Sequence, residues 1–180
     1  MGVRPESASS LQFADRAVYL ADADTVVVAD LHLGRADASR VEAPIDATES
    51  IRRRVRELLD QFDPETIVFA GDLLHSFDRL PTVAVDAIEG LWADCTDAGV
   101  EPVAVAGNHD SRLAECWPGD VADAVALEDG TVICHGHTTP EKHGDRYVVG
   151  HAHPAITIEG VKRPCYLFGE DAYRGGELLV

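Results

Sequence analysis

The string Ala106-Gly107-Asn108-His109-Asp110 closes an apolar run and sets four different chemical capacities side by side. Glycine frees the backbone and the amide offers a neutral oxygen. The imidazole exchanges protons near neutral pH, and the carboxylate orients or binds. Four other apolar runs end in comparable groups: "VVVADLHLG" in Asp30 and His32, "IVFAGDLLH" in Asp72 and His75, "VICHGH" in His135 and His137, and "VVGHAH" in His151 and His153. In an open α/β sheet, ligands collect beyond the carboxyl ends of strands. These groups, remote along the chain, are therefore expected to converge. Within a strand, residues i and i+2 point to one side, so Asp30 with His32, and His151 with His153, can each grip one centre.

Imidazole, carboxylate and one amide oxygen, without thiolate, suit Mn²⁺, Fe or Zn²⁺ better than copper(I) or an iron–sulfur cluster. The candidates Asp30, His32, Asp72, Asn108, His135, His151 and His153 exceed what one ion needs, and with Asp72 shared they divide between two. Two metals about 3.5–4 Å apart clamp the attacking and leaving oxygens of a phosphoryl displacement. Gly71, Gly107 and Gly150 directly precede ligands and allow a sharp turn and close approach. Asp30 or Asp72 alone would read as a turn or cap residue; five clusters together favour the metal reading. His137 is an alternative to His135, and His143 in "EKHGDR" reads as a solvated loop residue. Arg35, Arg79 and Arg112 follow the clusters closely enough to hold phosphate, against the plainer reading of surface ion pairs.

The elements that must position these groups are legible as periodicity. "RAVYLADADTVVVAD" reads as two short strands around a turn at Asp22–Asp24. A helix is expected from about Asp46, with Glu49 completing a capping box. Its apolar stripe is Ile51, Val55, Leu58, Leu59 and Phe62, with Arg52, Arg53, Arg54 and Arg56 on a solvated face paired with acids. "TIVFA" and "PVAVA" are buried strands. Between them Pro81 opens a helix facing inward through Val85, Ile88, Leu91, Trp92 and Cys95. After a short helix near Leu113, "TVICH", "YVVGH", "AITIE", "PCYLF" and "ELLV" read as strands. Strand–helix alternation followed by a run of strands predicts an α/β protein of two packed sheets with helices outside. The apolar end Leu178-Leu179-Val180 reads as a tucked-in edge strand or a shortened one.

A chain of 180 residues, 46% apolar, fits one globular domain, expected over 15–180 behind a flexible segment 1–14. No apolar stretch nears the roughly 20 residues of a membrane span. MGVRPESASS lacks a hydrophobic leader, and Glu6 stands where a myristoylation signal wants Ser or Thr, so a cytoplasmic location is expected. Acidic residues outnumber basic ones 32 to 15, a net charge of −17, and only Lys142 and Lys162 are lysines. That balance reads as a surface adapted to a salt-rich cytosol, and it argues against an avid nonspecific grip on duplex DNA. Cys95, Cys116, Cys134 and Cys165 show no CxxC spacing and read as small hydrophobes in a reducing compartment.

Asp30-Leu31-His32, Gly71-Asp72, Gly107-Asn108-His109-Asp110, His135-Gly136-His137 and Gly150-His151-Ala152-His153 resemble, in order, the five motifs of the calcineurin-like metallophosphoesterases. "GNHD" with "GHAH" is a specific pairing, whereas "GD" or "DLH" alone is weak. With "ADLHLG", the chain is most similar to small archaeal and bacterial phosphoesterases, some linked with DNA repair. The resemblance implies the four-layer-type metallophosphoesterase fold, two packed mixed β-sheets flanked by helices. It also implies two divalent ions, Mn²⁺ foremost, with Fe or Zn²⁺ as alternatives. One would take Asp30, His32, Asp72 and His153; the other Asp72, Asn108, His135 and His151. His109 would stand beside the leaving group. His75 sits where many members have Asp, and "GDLLHS" resembles the Mre11-type nucleases, which carry His there; this makes His75 a second catalytic candidate. The implied activity is hydrolysis of phosphodiesters by hydroxide generated at a dinuclear metal site. The substrate would be a small phosphodiester or single-stranded nucleic acid. A DNA-repair nuclease and a noncatalytic scaffold on the same fold are the alternatives; His109, which such scaffolds tend to lose, is present.

Overall fold

The computed structural model describes residues 10–34, 44–75 and 80–180. Six strands form the first sheet in sequence order: β1 (Leu11–Ala14), β2 (Ala17–Leu20), β3 (Thr25–Val28), β4 (Thr66–Ala70), β5 (Glu101–Val105) and β6 (Val121–Ala122). The pairings from β1 to β3 are antiparallel and those from β3 to β6 parallel. A second sheet of β7 (Ala124–Ala126), β8 (Thr131–Cys134), β9 (Arg146–Val149), β12 (Phe168–Tyr173) and β13 (Gly176–Leu179) has the order β12-β13-β9-β8-β7. Here β8, β9 and β13 are parallel and the outer pairs antiparallel. β10 (Ala155–Ile158) and β11 (Val161–Pro164) pair separately as a hairpin.

The β-branched runs are buried on both faces, as parallel strands in an α/β sheet must be. Val26, Val28, Ile67 and Phe69 pack against α1 (Pro44–Phe62) through Val55, Leu58 and Leu59, and against α2 (Thr82–Asp97) through Ile88, Leu91 and Cys95. Their neighbours Val27, Val68 and Val105 point the other way and meet Ile133, Val148 and Leu179 of the second sheet. Each alternation along a strand thus serves one of two cores, the period-2 geometry of the pleat. Tyr147, fully buried, anchors a smaller cluster on the second sheet's far face. The two-sheet α/β architecture expected from the pattern is present.

Several boundaries differ from expectation. Of the segment 1–14 expected to be flexible, residues 1–9 lie outside the described residues and Leu11–Ala14 form β1, paired in register with β2. α1 begins at Pro44, ahead of the expected start near Asp46, whose side chain lies outside the described residues. In α2, Ala84 and Ala87 are buried beside Ile88, Leu91 and Cys95, while Val85 and Trp92 are half-buried. Trp92 sits at the helix border, edge-on to Trp117 at 5.2 Å. The strand expected at "PCYLF" starts only at Phe168. Cys95 and Cys134 are buried, and Cys116 and Cys165 half-buried. No helix among the described residues is long and apolar enough to cross a membrane.

Candidate metal centre

The carboxyl ends of β3, β4 and β5 share one edge of the first sheet, and those of β8 and β9 one edge of the second. The edges meet directly: His135 Nδ1 lies 3.0 Å from the Ala70 carbonyl, which ends β4. Past the strands, segments 30–33 and 71–75 continue to pair through Asp30 N to Gly71 O (3.0 Å), His32 N to Asp72 O (2.9 Å) and Leu33 N to Leu73 O (2.7 Å). The backbone here is not extended. Asp30, His32, Asp72, His151 and His153 have φ of 57°, 45°, 52°, 62° and 44°. The i, i+2 pairs therefore aim together through left-handed bends, not through the strand geometry expected of them. Non-glycine residues rarely take this region, and Asp and His are among those that tolerate it best.

Two groups of donors result. Asp30, His32 and His153 each offer an atom within 4.8 Å of the others, and so do Asp72, His135 and His151. His153 Nε2 is 3.5 Å from Asp30 Oδ1, and His135 Nε2 is 3.3 Å from Asp72 Oδ1 and 3.2 Å from Asn108 Oδ1. The groups touch: the His151 amide donates to Asp30 Oδ2 at 3.2 Å, and His135 Nδ1 is 4.0 Å from Asp30 Oδ1. Gly107 is needed for this closeness, because a Cβ there would overlap the carboxylate and amide of Asp72.

The donor chemistry fits a cation. With Nδ1–H of His135 donating to the Ala70 carbonyl, its Nε2 presents a lone pair to the oxygens of Asp72 and Asn108. Three electron-rich atoms facing one another repel unless a positive charge lies among them, and imidazole, carboxylate and amide oxygen together suit Mn²⁺, Fe or Zn²⁺. His32 Nδ1 and His109 Nδ1 are also buried without a hydrogen-bond partner. Burial, opposed by the charges of Asp72 and Asp30, holds the His32 imidazole below its ordinary value and so favours the neutral, ligating form.

A sequence profile of calcineurin-like phosphoesterases matches residues 24–177. The chain belongs to that family. Among curated relatives, UDP-2,3-diacylglucosamine hydrolase of Xanthomonas oryzae pv. oryzae is 32% identical over 124 residues, covering 67% of this chain and 46% of the relative. The DNA double-strand break repair protein Mre11 of Methanopyrus kandleri is 32% identical over 141 residues, covering 75% of this chain and 29% of the relative. The chain thus spans less than half the length of these relatives. A crystal structure of the Pseudomonas putida nuclease MPE shares the fold, with a TM-score of 0.65 at 24% identity over 91% of this chain and 77% of that one.

Around the donors of this calcineurin-like phosphoesterase, His109 is held by its own amide, which donates to Asp72 Oδ1 at 2.9 Å; its Nε2 lies 3.8 Å from Asp72 Oδ2. The His75 ring stacks on His109 with centroids 5.8 Å apart and planes 9° apart, and both stand edge-on to His32. His137 is exposed at the rim, 5.3 Å from the His135 ring, whereas His135 is fully buried among the donors. His143 lies apart, against Arg174. Arg112 makes a two-pronged pair with Glu115, and Arg35 and Arg79 lie outside the described residues.

Of the two roles open to the Asp110 carboxylate, orienting or binding, the structure shows the first. This buried carboxylate accepts the amides of Gly107 (2.9 Å), Leu74 (2.9 Å) and Leu73 (3.3 Å), tying the "GNHD" turn to the loop after Asp72. Burial pushes this carboxyl above its ordinary value, further than the three amides pull it back. The available signal was an acid in a tight turn, which commonly captures backbone N–H groups.

Proposed function

We propose that the protein is a metal-dependent phosphodiesterase whose two ions are held by Asp30, His32, Asp72 and His153 and by Asp72, Asn108, His135 and His151. The observation that carries this is the convergence of two three-donor groups on one edge of the fold, with His109 beside them. When bound, such cations lower the pKa of water and neutralise charge gathering on phosphoryl oxygens. His109, one-third exposed and fixed by Asp72, protonates or stabilises the departing alkoxide. His75 sets its ring orientation by stacking. The donor set supports Mn²⁺, with Fe or Zn²⁺ as alternatives. Unpaired thiols support a reducing, cytoplasmic setting for a domain that begins by β1. DNA cleavage is the second reading, favoured by His75 and by the likeness to Mre11.

Purified protein with Mn²⁺ should hydrolyse an aryl phosphodiester. His109→Ala should lose about 10²-fold or more of that turnover, the usual reach of a positioned proton donor, while titration calorimetry still finds two Mn²⁺ per chain. Full turnover in that variant would remove His109 from the mechanism; one Mn²⁺ or none in the wild type would remove the dinuclear centre.

A further inference from the structure

A cleft of about 630 Å³ opens beside Asp30 and His153 and continues away from them, lined by apolar wall and by Arg16, Arg54 and Lys162. The topology explains its place. β2 pairs antiparallel with β3, Val18 opposite Val27, so the β1–β2 turn at Asp15–Arg16 returns to the edge where Asp30 emerges. β13 runs parallel to β9, Leu179 opposite Val148, so its end arrives there as well. The walls are Val18, Val27, Val148 and Leu179. Tyr166 is pinned beside them by its hydroxyl, which donates to the Ala17 carbonyl at 3.0 Å.

Three features of this cleft point to a use beyond packing. Arg54 reaches it from α1 with its side chain only 21% exposed; its Nε is ion-paired with Asp15 Oδ2 at 3.6 Å, beyond hydrogen-bonding distance, and donates no hydrogen bond. A half-buried guanidinium whose acid stands beyond hydrogen-bonding distance keeps donor capacity for a second anion. Asp15 and Arg16 form the hairpin turn with φ of 40° and 62°, a two-residue turn that favours Asn-Gly. A strained turn that presents a cation where glycine would rest without strain points to use of that cation. Finally, in a chain of net charge −17 with two lysines, one lysine and two arginines gather at one opening. The volume is within the range of small-molecule sites and larger than a bare phosphate requires.

Strand order sets the cleft on the β3 side of the donors and His109 on the β5 side. We infer that the cleft is a substrate subsite for the ester arm retained on phosphorus, an apolar or aromatic body carrying its own anionic group. The retained-arm assignment rests on the proposed function; the subsite itself does not. Nucleoside phosphates and alkyl phosphates share this chemistry, through base stacking on Tyr166 or burial against the valines.

The full chain in chelator, so that binding is read apart from hydrolysis, would be titrated with adenosine 5′-monophosphate, octyl phosphate and inorganic phosphate. One organic phosphate should bind at least tenfold more tightly than inorganic phosphate, and which one does names the arm as nucleotide-like or lipid-like. Arg54→Ala and Arg16→Gly should each weaken that binding tenfold or more. Arg16→Gly, which relieves the left-handed turn, should keep or raise the melting temperature, so its loss of binding is not a loss of fold. Organic phosphates binding no better than inorganic phosphate, or Arg16→Gly binding as wild type, would overturn the subsite. Intact binding in chelator without Mn²⁺-dependent diester hydrolysis would instead strike only the phosphodiesterase reading.

Discussion

At the scale of residues, the donors depend on backbone that most side chains would refuse. Five of the seven candidate ligands have positive φ, and each such non-glycine residue costs on the order of 1 kcal/mol or more. Asp110 is one of the groups that holds this arrangement. Its carboxylate answers three buried amides spread over two loops, one carrying Asn108 and His109, the other following Asp72. Asp110→Ala would orphan those donors, at about 1–3 kcal/mol for each that water cannot reach. We expect urea unfolding to show a loss of about 3 kcal/mol, and the proposed phosphodiesterase activity to fall with it although Asp110 touches no reacting atom. Asp110→Glu would not rescue either, because the longer side chain cannot meet Gly107 three residues back with the same geometry. A variant with wild-type stability would mean that the loops hold themselves.

At the scale of elements, the helices are locked to each other by charge as well as by apolar stripe. Arg52 of α1 grips Asp94 of α2 through two bonds of 2.7 and 2.9 Å, and Arg56 adds a third contact at 3.1 Å. Burial raises the Asp94 carboxyl, but Arg52, and then Arg56, outweigh it and hold it below its ordinary 3.8. A depressed carboxylate contributes stability that is present above its unfolded value and lost as pH falls through the lower folded one. Asp94→Asn should therefore be less stable than wild type by about 1–2 kcal/mol at pH 7, and the gap should close in acid below about pH 4, read from urea midpoints at both pH values. A gap that persists in acid would trace the loss to packing. Arg52, Arg53 and Arg56 were legible as a paired face, but Asp94 as the shared partner of Arg52 and Arg56 was not, because α1 and α2 meet only in three dimensions, and Arg54, expected on that solvated face, is half-buried instead. The same limit governs the site. Strand-end clusters announced their convergence through residue type and order, and "GNHD" with "GHAH" marked the family. The left-handed bends and the cleft were invisible, because a φ angle and a neighbour across two sheets leave no periodic trace, and of the Asp110 clamp only an acid in a tight turn was legible, not the loop it ties. β11, a run of exposed residues, lacks the apolar alternation by which a strand is recognised.

At the scale of the whole molecule, charge sets the conditions in which the fold is stable. With 32 acidic against 15 basic residues, the chain carries a large excess of one sign of charge. Self-repulsion of this kind opposes the compact state, and salt removes it by shortening the Debye length from about 10 Å at 0.1 M to about 3 Å at 1 M. Bridges such as Arg52–Asp94 weaken in the same salt, but Asp94 is only 11% exposed and so is screened less than the exposed excess of acids. Repulsion therefore dominates the balance, and the melting temperature should rise with KCl. The shape of the rise tests its cause. Screening is nearly complete once the Debye length falls to a bond-like distance, so the gain should flatten near 1 M. An increase that continues linearly to 3 M, and is larger with sulfate, would reflect exclusion of salt from the surface instead. Calorimetry across that range distinguishes the two, and a melting temperature that falls with KCl would end the reading of this acidic surface as salt-adapted.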